Sequence, residues 1–241
     1  MPAVDARDRL ILALDVPSAE EAGRLMDRAG PDLRFVKVGL ELYTAAGPEV
    51  IRTAVARGKR VFLDLKLLDI EETVRRATTV IAEMGVEFLT VHANRKALRA
   101  AVEARGKFPG SRLKLLAVTV LTNFDAHDLK DMGVQWGVAD LVAARAKLAA
   151  EVGCDGVVAS GAEPEAIRRT VGGGFLIVTP GIRPGGKGAD EHARATTPTQ
   201  AIKAGADYLV VGRPIRDAAD PRAATQQIVS EMQTAFDARQ E

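Results

Sequence analysis

Eight short apolar runs recur along the 241-residue chain, and they constrain its fold more than any other feature. They are Leu10–Leu14, Phe35–Val38, Val61–Leu65, Phe88–Val91, Leu113–Val118, Gly156–Ala159, Phe175–Val178 and Tyr208–Val211. Most are continuous rather than alternating, the pattern of strands buried on both faces. Amphipathic stretches separate them. Ser18-Ala19-Glu20-Glu21 has the form of a capping box and leads into Ala22, Leu25, Met26 and Ala29 on one helical face. Ile70, Val74, Ala77, Ile81 and Met84 repeat at helical spacing, as do Leu98, Ala101 and Val102, then Leu141, Ala144, Leu148 and Val152, and last Ile228, Met232 and Ala235. Gly58, Gly85, Gly153 and Gly205 follow such stretches, where a helix C-terminus favours glycine. Strand–helix units repeating without a composition break predict one closed (β/α)8 barrel, a TIM barrel, over residues 1–241. A doubly wound open sheet would carry a Gly-rich turn after its first strand. Here that strand leads into Asp15-Val16-Pro17-Ser18, without glycine.

Aromatic residues are only 4% of the chain, so the expected core is Val, Leu, Ile and Ala. A formal net charge of +1 gives no sign of a polyanion-binding surface, and no nucleic-acid partner is expected. Cys154 is the single cysteine, which excludes an internal disulfide and fits a reducing compartment. In Val152-Gly153-Cys154-Asp155-Gly156 its thiol reads as structural. The run Leu10–Leu14 stops at Asp15, too short for a signal peptide or a membrane span. A cytoplasmic protein without a membrane partner is the expectation.

Barrels of this kind build their active sites at the C-terminal ends of the strands. Those ends carry Asp15, Lys37, Asp64 with Lys66, His92, Thr119 with Thr122, Ser160, Thr179 and Arg213. Asp64 and Lys66 lie two residues apart in a strand, so alternation puts both on one face. Asp69 stands at the start of the next helix, where capping and the helix dipole would explain an isolated aspartate. Lys37 interrupts the otherwise apolar Phe35-Val36-Lys37-Val38-Gly39. It either snorkels to solvent or pairs with Asp64 on the neighbouring strand. Lys37, Asp64, Lys66 and Asp69 together sum to zero charge, and breaking one buried pair would cost roughly 3–5 kcal/mol. Such a network is a poor stability device, which favours function. Arg183 and Arg213 follow the last two runs, where barrels often bind phosphate, and arginine suits bidentate phosphate contact. Gly185, Gly186 and Gly188 would let the intervening loop close as a lid. An ordinary exposed Gly-rich loop is plausible for those residues alone, but the two arginines at the expected strand ends make it the weaker reading.

The chain resembles the orotidine 5′-monophosphate decarboxylase family. The resemblance rests on Leu-Ala-Leu-Asp at 12–15, Val-Lys-Val-Gly at 36–39 and Asp-x-Lys-x-x-Asp-Ile at 64–70. It continues through Thr-Val-Leu-Thr at 119–122, Thr-Pro-Gly-Ile-Arg-Pro at 179–184 and Val-Gly-Arg-Pro-Ile at 211–215. It implies a cofactor-free, metal-free conversion of orotidine 5′-monophosphate to uridine 5′-monophosphate and CO2, in de novo pyrimidine biosynthesis. It further implies a homodimer with shared active sites. Lys37, Asp64 and Lys66 would form a charged array that Asp69 joins from the other subunit, with Lys66 delivering a proton to C6 of the pyrimidine. Asp15 and Lys37 would bind the ribose hydroxyls, and Thr122 the pyrimidine. Ile70 and Thr73 would reach into the partner's site. Arg183, Arg213 and the Gly212 amide would hold the 5′-phosphate.

The chemistry fits the residue types. Loss of CO2 leaves a carbanion on an sp2 carbon, for which most decarboxylases recruit a cofactor as electron sink. His92, His127 and His192 are scattered rather than clustered as ligands. Preorganised charge must then stabilise the transition state. Three departures from the family pattern stand out. Glu71 follows Asp-Ile where proline is frequent. His192 occupies a position often held by a glutamine that bridges phosphate and base, and we expect it to keep that contact. His92-Ala93-Asn94-Arg95 lacks the usual glycines, and His92 is expected to be a hydrogen-bonded residue at a strand end rather than a catalytic one. Rival readings are a magnesium-dependent sister decarboxylase or synthase, which tends to place glutamate at the position of Lys37, a non-catalytic phosphate-ligand barrel, and an isomerase. The second leaves Lys37 and Lys66 unexplained, and the third needs an acid and a base in separated environments.

Overall fold

The computed structural model describes residues 4–186 and 196–240. Strands β1 (Leu10–Ala13), β2 (Phe35–Gly39), β3 (Arg60–Leu67), β4 (Phe88–His92), β5 (Lys114–Val118), β6 (Gly156–Val158), β7 (Leu176–Thr179) and β8 (Tyr208–Val211) coincide with the apolar runs. Each pairs in parallel with the next, and β8 returns to β1, so the sheet closes. The expected (β/α)8 barrel is the fold. Its helices are α1 (Ala19–Ala29), α2 (Leu40–Ala46), α3 (Glu49–Ala56), α4 (Glu71–Glu83), α5 (Arg95–Gly106), α6 (Ala126–Asp131), α7 (Val138–Val152), α8 (Pro164–Val171), α9 (Pro198–Lys203), α10 (Arg213–Arg216) and α11 (Pro221–Gln240).

Local chemistry places the helix ends. The Ser18 hydroxyl accepts the Glu21 amide N–H at 3.2 Å and starts α1. Gly153 ends α7 at φ 94°, a left-handed conformation that an L side chain resists, and its N–H donates to the carbonyls of Ala149 and Ala150. The helix stripes largely hold. Val74 and Ile81 are buried on α4 and Leu98 and Ala101 on α5, whereas Ile70 falls at the N-cap of α4 and is 72% exposed. Its place in the periodic pattern does not make it core.

Alternation along the strands creates two cores. Outward residues such as Leu12, Val36, Leu63, Leu89 and Leu115 pack against helix residues such as Met26, Ile51 and Leu98. This layer is mostly aliphatic, as expected, with Phe175 and Phe236 among its buried members. The inner cluster is not. Phe35, Phe62, Phe88 and Tyr208 fill the barrel with Ile11, Ala13, Leu116, Val178 and Val210. Phe88 lies at the centre, 5.0 Å from the Phe35 and Tyr208 rings and 5.8 Å from Phe62, measured between centroids. The wide interior of a closed barrel needs large side chains, and a few tilted rings fill it. Scarcity of aromatics over the whole chain hid their concentration here. The Arg60 and Arg9 guanidinium carbons lie 4.3 Å and 4.6 Å from the ring centroids of Phe35 and Tyr208.

The aromatic floor also sets the height of what lies above it. Lys37 is two residues beyond Phe35, Asp64 two beyond Phe62, and Thr90 two beyond Phe88, so alternation turns all three toward the barrel axis. Replacing the central ring tests the floor. Phe88→Ala should lower unfolding free energy by about 3–5 kcal/mol in urea denaturation, and a loss below about 1 kcal/mol would show that the barrel interior does not depend on the central ring to fill it.

Candidate active site

The site is built on an irregularity in β3. Leu63 is in register with Leu89 and Leu67 with Val91, so residues 64–66 of β3 face Thr90 alone on β4. Lys66 takes up the excess at φ 51°, the one non-glycine positive φ among the described residues. Asp64 and Lys66 share a face as expected, but through this bulge rather than regular alternation. The Lys66 ammonium is 2.9 Å from Asp64 Oδ2. Thr90, fully buried, donates its hydroxyl proton to Asp64 Oδ1 at 2.9 Å and accepts the Lys66 backbone N–H, also at 2.9 Å. Sequence reasoning missed Thr90. Its signal was present, a polar residue at an inward position of the run Phe88–Val91.

Lys37 does not snorkel, since its side chain is only 12% exposed. Its first partner is Asp15 Oδ1 at 3.0 Å, with Asp64 Oδ2 at 3.8 Å. The result is an alternating chain, Asp15–Lys37–Asp64–Lys66, crossing the mouth from β1 to β3. Gly39 leaves room for it, because a Cβ there would stand 3.0 Å from Lys37 Nζ. Asp69 stands apart. It is exposed, accepts the Ile70 amide N–H at 2.7 Å, and forms no ion pair with Lys37 or Lys66 of its own chain among the described residues. The capping reading also fails. The N-cap of α4 is Ile70, and no side chain caps that helix. Thr73 is exposed on the first turn of α4.

On the opposite rim, Arg183 follows β7 and is 9% exposed, donating from Nη1 to its neighbour's carbonyl, Ile182 O, at 2.9 Å. Its backbone N–H donates to Thr196 O at 2.9 Å. Gly212 is the N-cap of α10, with its Cβ position 3.6 Å from Ala13 Cβ and 3.7 Å from Asp15 Oδ2. Arg213 opens α10 and is half-buried, as is Thr122 in the turn after β5. His192, with Lys187 and Gly188 of the expected lid, lies outside the described residues.

A family model described as "Orotidine 5'-phosphate decarboxylase / HUMPS family" matches residues 8–228. The chain belongs to this family. A curated relative named orotidine 5′-phosphate decarboxylase, from Methylobacterium sp. (strain 4-46), is 52% identical over 226 residues, which cover 94% of this chain and 96% of the relative. Another of the same name, from Rhodopseudomonas palustris (strain CGA009), is 50% identical over 229 residues and 95% of each chain. The crystal structure of orotidine 5′-phosphate decarboxylase from Lactobacillus acidophilus superposes with a TM-score of 0.83 at 37% identity, covering 93% of this chain and 98% of that one.

Next to the charged chain, with His92 close enough to feel Lys66 and Asp64, lies a cavity of about 360 Å³ lined by His92, Thr119, Val120, Phe124, Met132 and Arg145, among others. Arg145 reaches it from α7 and donates to Thr119 O. His92 was expected to be hydrogen-bonded, yet its half-buried ring has no hydrogen-bond partner among the described residues. Burial, then the positive charges of Arg145 and Lys66, hold its pKa below the ordinary value, outweighing the opposing effect of Asp64. Cys154 is inert for a related reason. Burial, then the nearby Asp155 carboxylate, push its thiol up to about 12. The native His92 ring takes a proton less readily than the unfolded one, so its neutral form contributes stability that is present above the unfolded value of 6.5. That contribution is lost as pH falls below 6.5 toward the lowered native value. His92→Gln should therefore flatten the slope of stability against pH in urea denaturation series run from about pH 7.5 down to 5. An unchanged slope would show that the ring titrates alike in both states.

Proposed function

We infer that this chain decarboxylates orotidine 5′-monophosphate to uridine 5′-monophosphate and CO2, without a metal or organic cofactor, as a step of de novo pyrimidine biosynthesis. The observation that carries the reading is the alternating chain Asp15–Lys37–Asp64–Lys66, with Lys66 tethered to Asp64 at 2.9 Å. The bond from C6 to the carboxyl carbon breaks, CO2 departs, and the electron pair stays on C6. Lys66 then gives a proton to C6 and becomes a neutral amine. An ammonium fixed in advance beside the developing carbanion stabilises the transition state more than the ground state, with no reorganisation cost at the moment of reaction.

The other roles surround that step. Asp15 and Lys37 hold the ribose hydroxyls and Thr122 the pyrimidine. Arg183, Arg213 and the Gly212 amide hold the 5′-phosphate, with His192 in the place of the bridging glutamine. Phosphate binding supplies energy that is spent at the distant reacting carbon. The chain acts as a homodimer in which Asp69, Ile70 and Thr73 enter the partner's site. Support comes from the rim itself, where Leu68 and Ile70, 59% and 72% exposed, flank Asp69 as uncovered apolar side chains. We take residues 1–241 as a single barrel domain acting in the cytoplasm. No helix among the described residues is long and apolar enough to cross a membrane.

A magnesium-dependent reaction is the second reading. Lys37 opposes it, because its ammonium stands between the two carboxylates, Asp15 and Asp64, that a divalent cation would need, and would repel that cation. No three His, Cys, Asp or Glu side chains converge as metal ligands among the described residues. Activity followed by ultraviolet absorbance should survive EDTA, and its abolition would favour the metal-dependent reading. Lys66→Ala should release CO2 at least about 100-fold more slowly while its melting curve shows an intact fold. Undiminished release would overturn the mechanism. Mixing inactive Asp69→Ala and Lys66→Ala chains should restore about a quarter of wild-type activity through hybrid dimers with one intact site. No recovery in mixtures shown to exchange subunits would exclude a shared site.

A further inference from the structure

We propose that Thr90 is a positioning residue whose one hydroxyl fixes both the backbone of Lys66 and the carboxylate of Asp64, and so the place from which Lys66 delivers its proton. The proposal rests on the assignment of Lys66 as proton donor. Its starting point is the bulge, where residues 64–66 of β3 have a single counterpart, Thr90, on β4. A bulge leaves backbone groups without their ladder partners, and a buried N–H without an acceptor is costly. Here the Lys66 N–H finds its acceptor in a side chain, Thr90 Oγ1, at 2.9 Å.

The same hydroxyl turns the carboxylate. A hydroxyl has one proton to give and two lone pairs, so it can accept from Lys66 and donate to Asp64 at once. The bond to Oδ1, at 2.9 Å, leaves Oδ2 facing the Lys66 ammonium at 2.9 Å and Lys37 at 3.8 Å. Thr90, Asp64 and Lys66 thus close a ring of hydrogen bonds. Lysine has a flexible four-carbon stem whose charge is otherwise loosely placed. In this ring it is held at both ends, by its N–H and by its Nζ. A non-glycine residue at φ 51° persists where its surroundings over-determine it, and Thr90 supplies that constraint. Thr90 itself is fully buried, and its hydroxyl bonds only to these two residues among the described ones, so it acts through them rather than by touching substrate.

Thr90→Val keeps the shape and removes the hydroxyl, and Thr90→Ser keeps the hydroxyl. We expect Thr90→Val to lose roughly 10- to 100-fold in kcat, because small displacements of a reacting group cost rate steeply. KM for orotidine 5′-monophosphate should stay within about 3-fold, since binding uses other residues, and Thr90→Ser should keep kcat within about 3-fold of wild type. An unchanged kcat in Thr90→Val, a loss in Thr90→Ser as large as in Thr90→Val, or a defect confined to KM would each overturn the proposal. Should Thr90→Val not fold, Thr90→Ala set against Thr90→Ser asks the same question with the same criteria. Lys66→Ala separates the two levels of inference. If it is inactive while Thr90→Val is fully active, Thr90 alone loses its role, whereas an active Lys66→Ala removes the proton delivery itself.

Discussion

Asp64 is a carboxylate with a side chain only 14% exposed, and the arrangement of the barrel mouth follows from compensating it. It receives the Thr90 hydroxyl on one oxygen and the Lys66 ammonium on the other, with Lys37 close behind. Lys37 in turn leans on Asp15. A buried ion of either sign is tolerable only with a partner, so the two inner members, Lys37 and Asp64, depend on each other and on the more exposed Asp15 and Lys66 that flank them. Such an ionic array, costly to desolvate, is a poor device for stability. What it provides is an ammonium held at a set point before any substrate arrives, the form of electrostatic preorganisation on which a reaction through a carbanion depends.

The apolar floor makes that arrangement effective. Phe35, Phe62, Phe88 and Tyr208 close the barrel beneath the charges, so the charges are screened by water only from above. Electrostatic interactions gain strength where the surroundings are weakly polarisable. The same strands build both layers, with ring and ion two residues apart on β2 and β3. Local strain at Lys66 belongs to the same design, since a regular β3 would offer its N–H to the β4 ladder instead of to Thr90.

Much of this was legible before any coordinates. The apolar runs gave the strands because parallel strands covered on both faces must be apolar throughout. Lys37, Asp64 and Lys66 stood out because charges do not belong in such runs without partners. Other features were hidden by averaging or by distance. A 4% aromatic content conceals four rings that converge only after the barrel closes. Asp15 is closer to Lys37 than Asp64 is, a ranking set by strand register and side-chain reach. Thr90 looked like an ordinary β-branched strand residue. Ile70 fitted a helical stripe and proved to sit outside it, because helix ends are where periodic patterns lose their force.

The sequence by itself determined the closed parallel barrel, the strand ends at which chemistry could occur, and the residue types available there. Period and polarity are local properties, and they survive without knowledge of any contact. Only the tertiary structure decided which ions touch, that β3 is bulged at Lys66, that the floor is aromatic, and that Asp69 forms no ion pair with Lys37 or Lys66 of its own chain among the described residues. Those outcomes depend on register between strands that are distant in sequence, and a displacement of one residue there would turn every side chain to the other face.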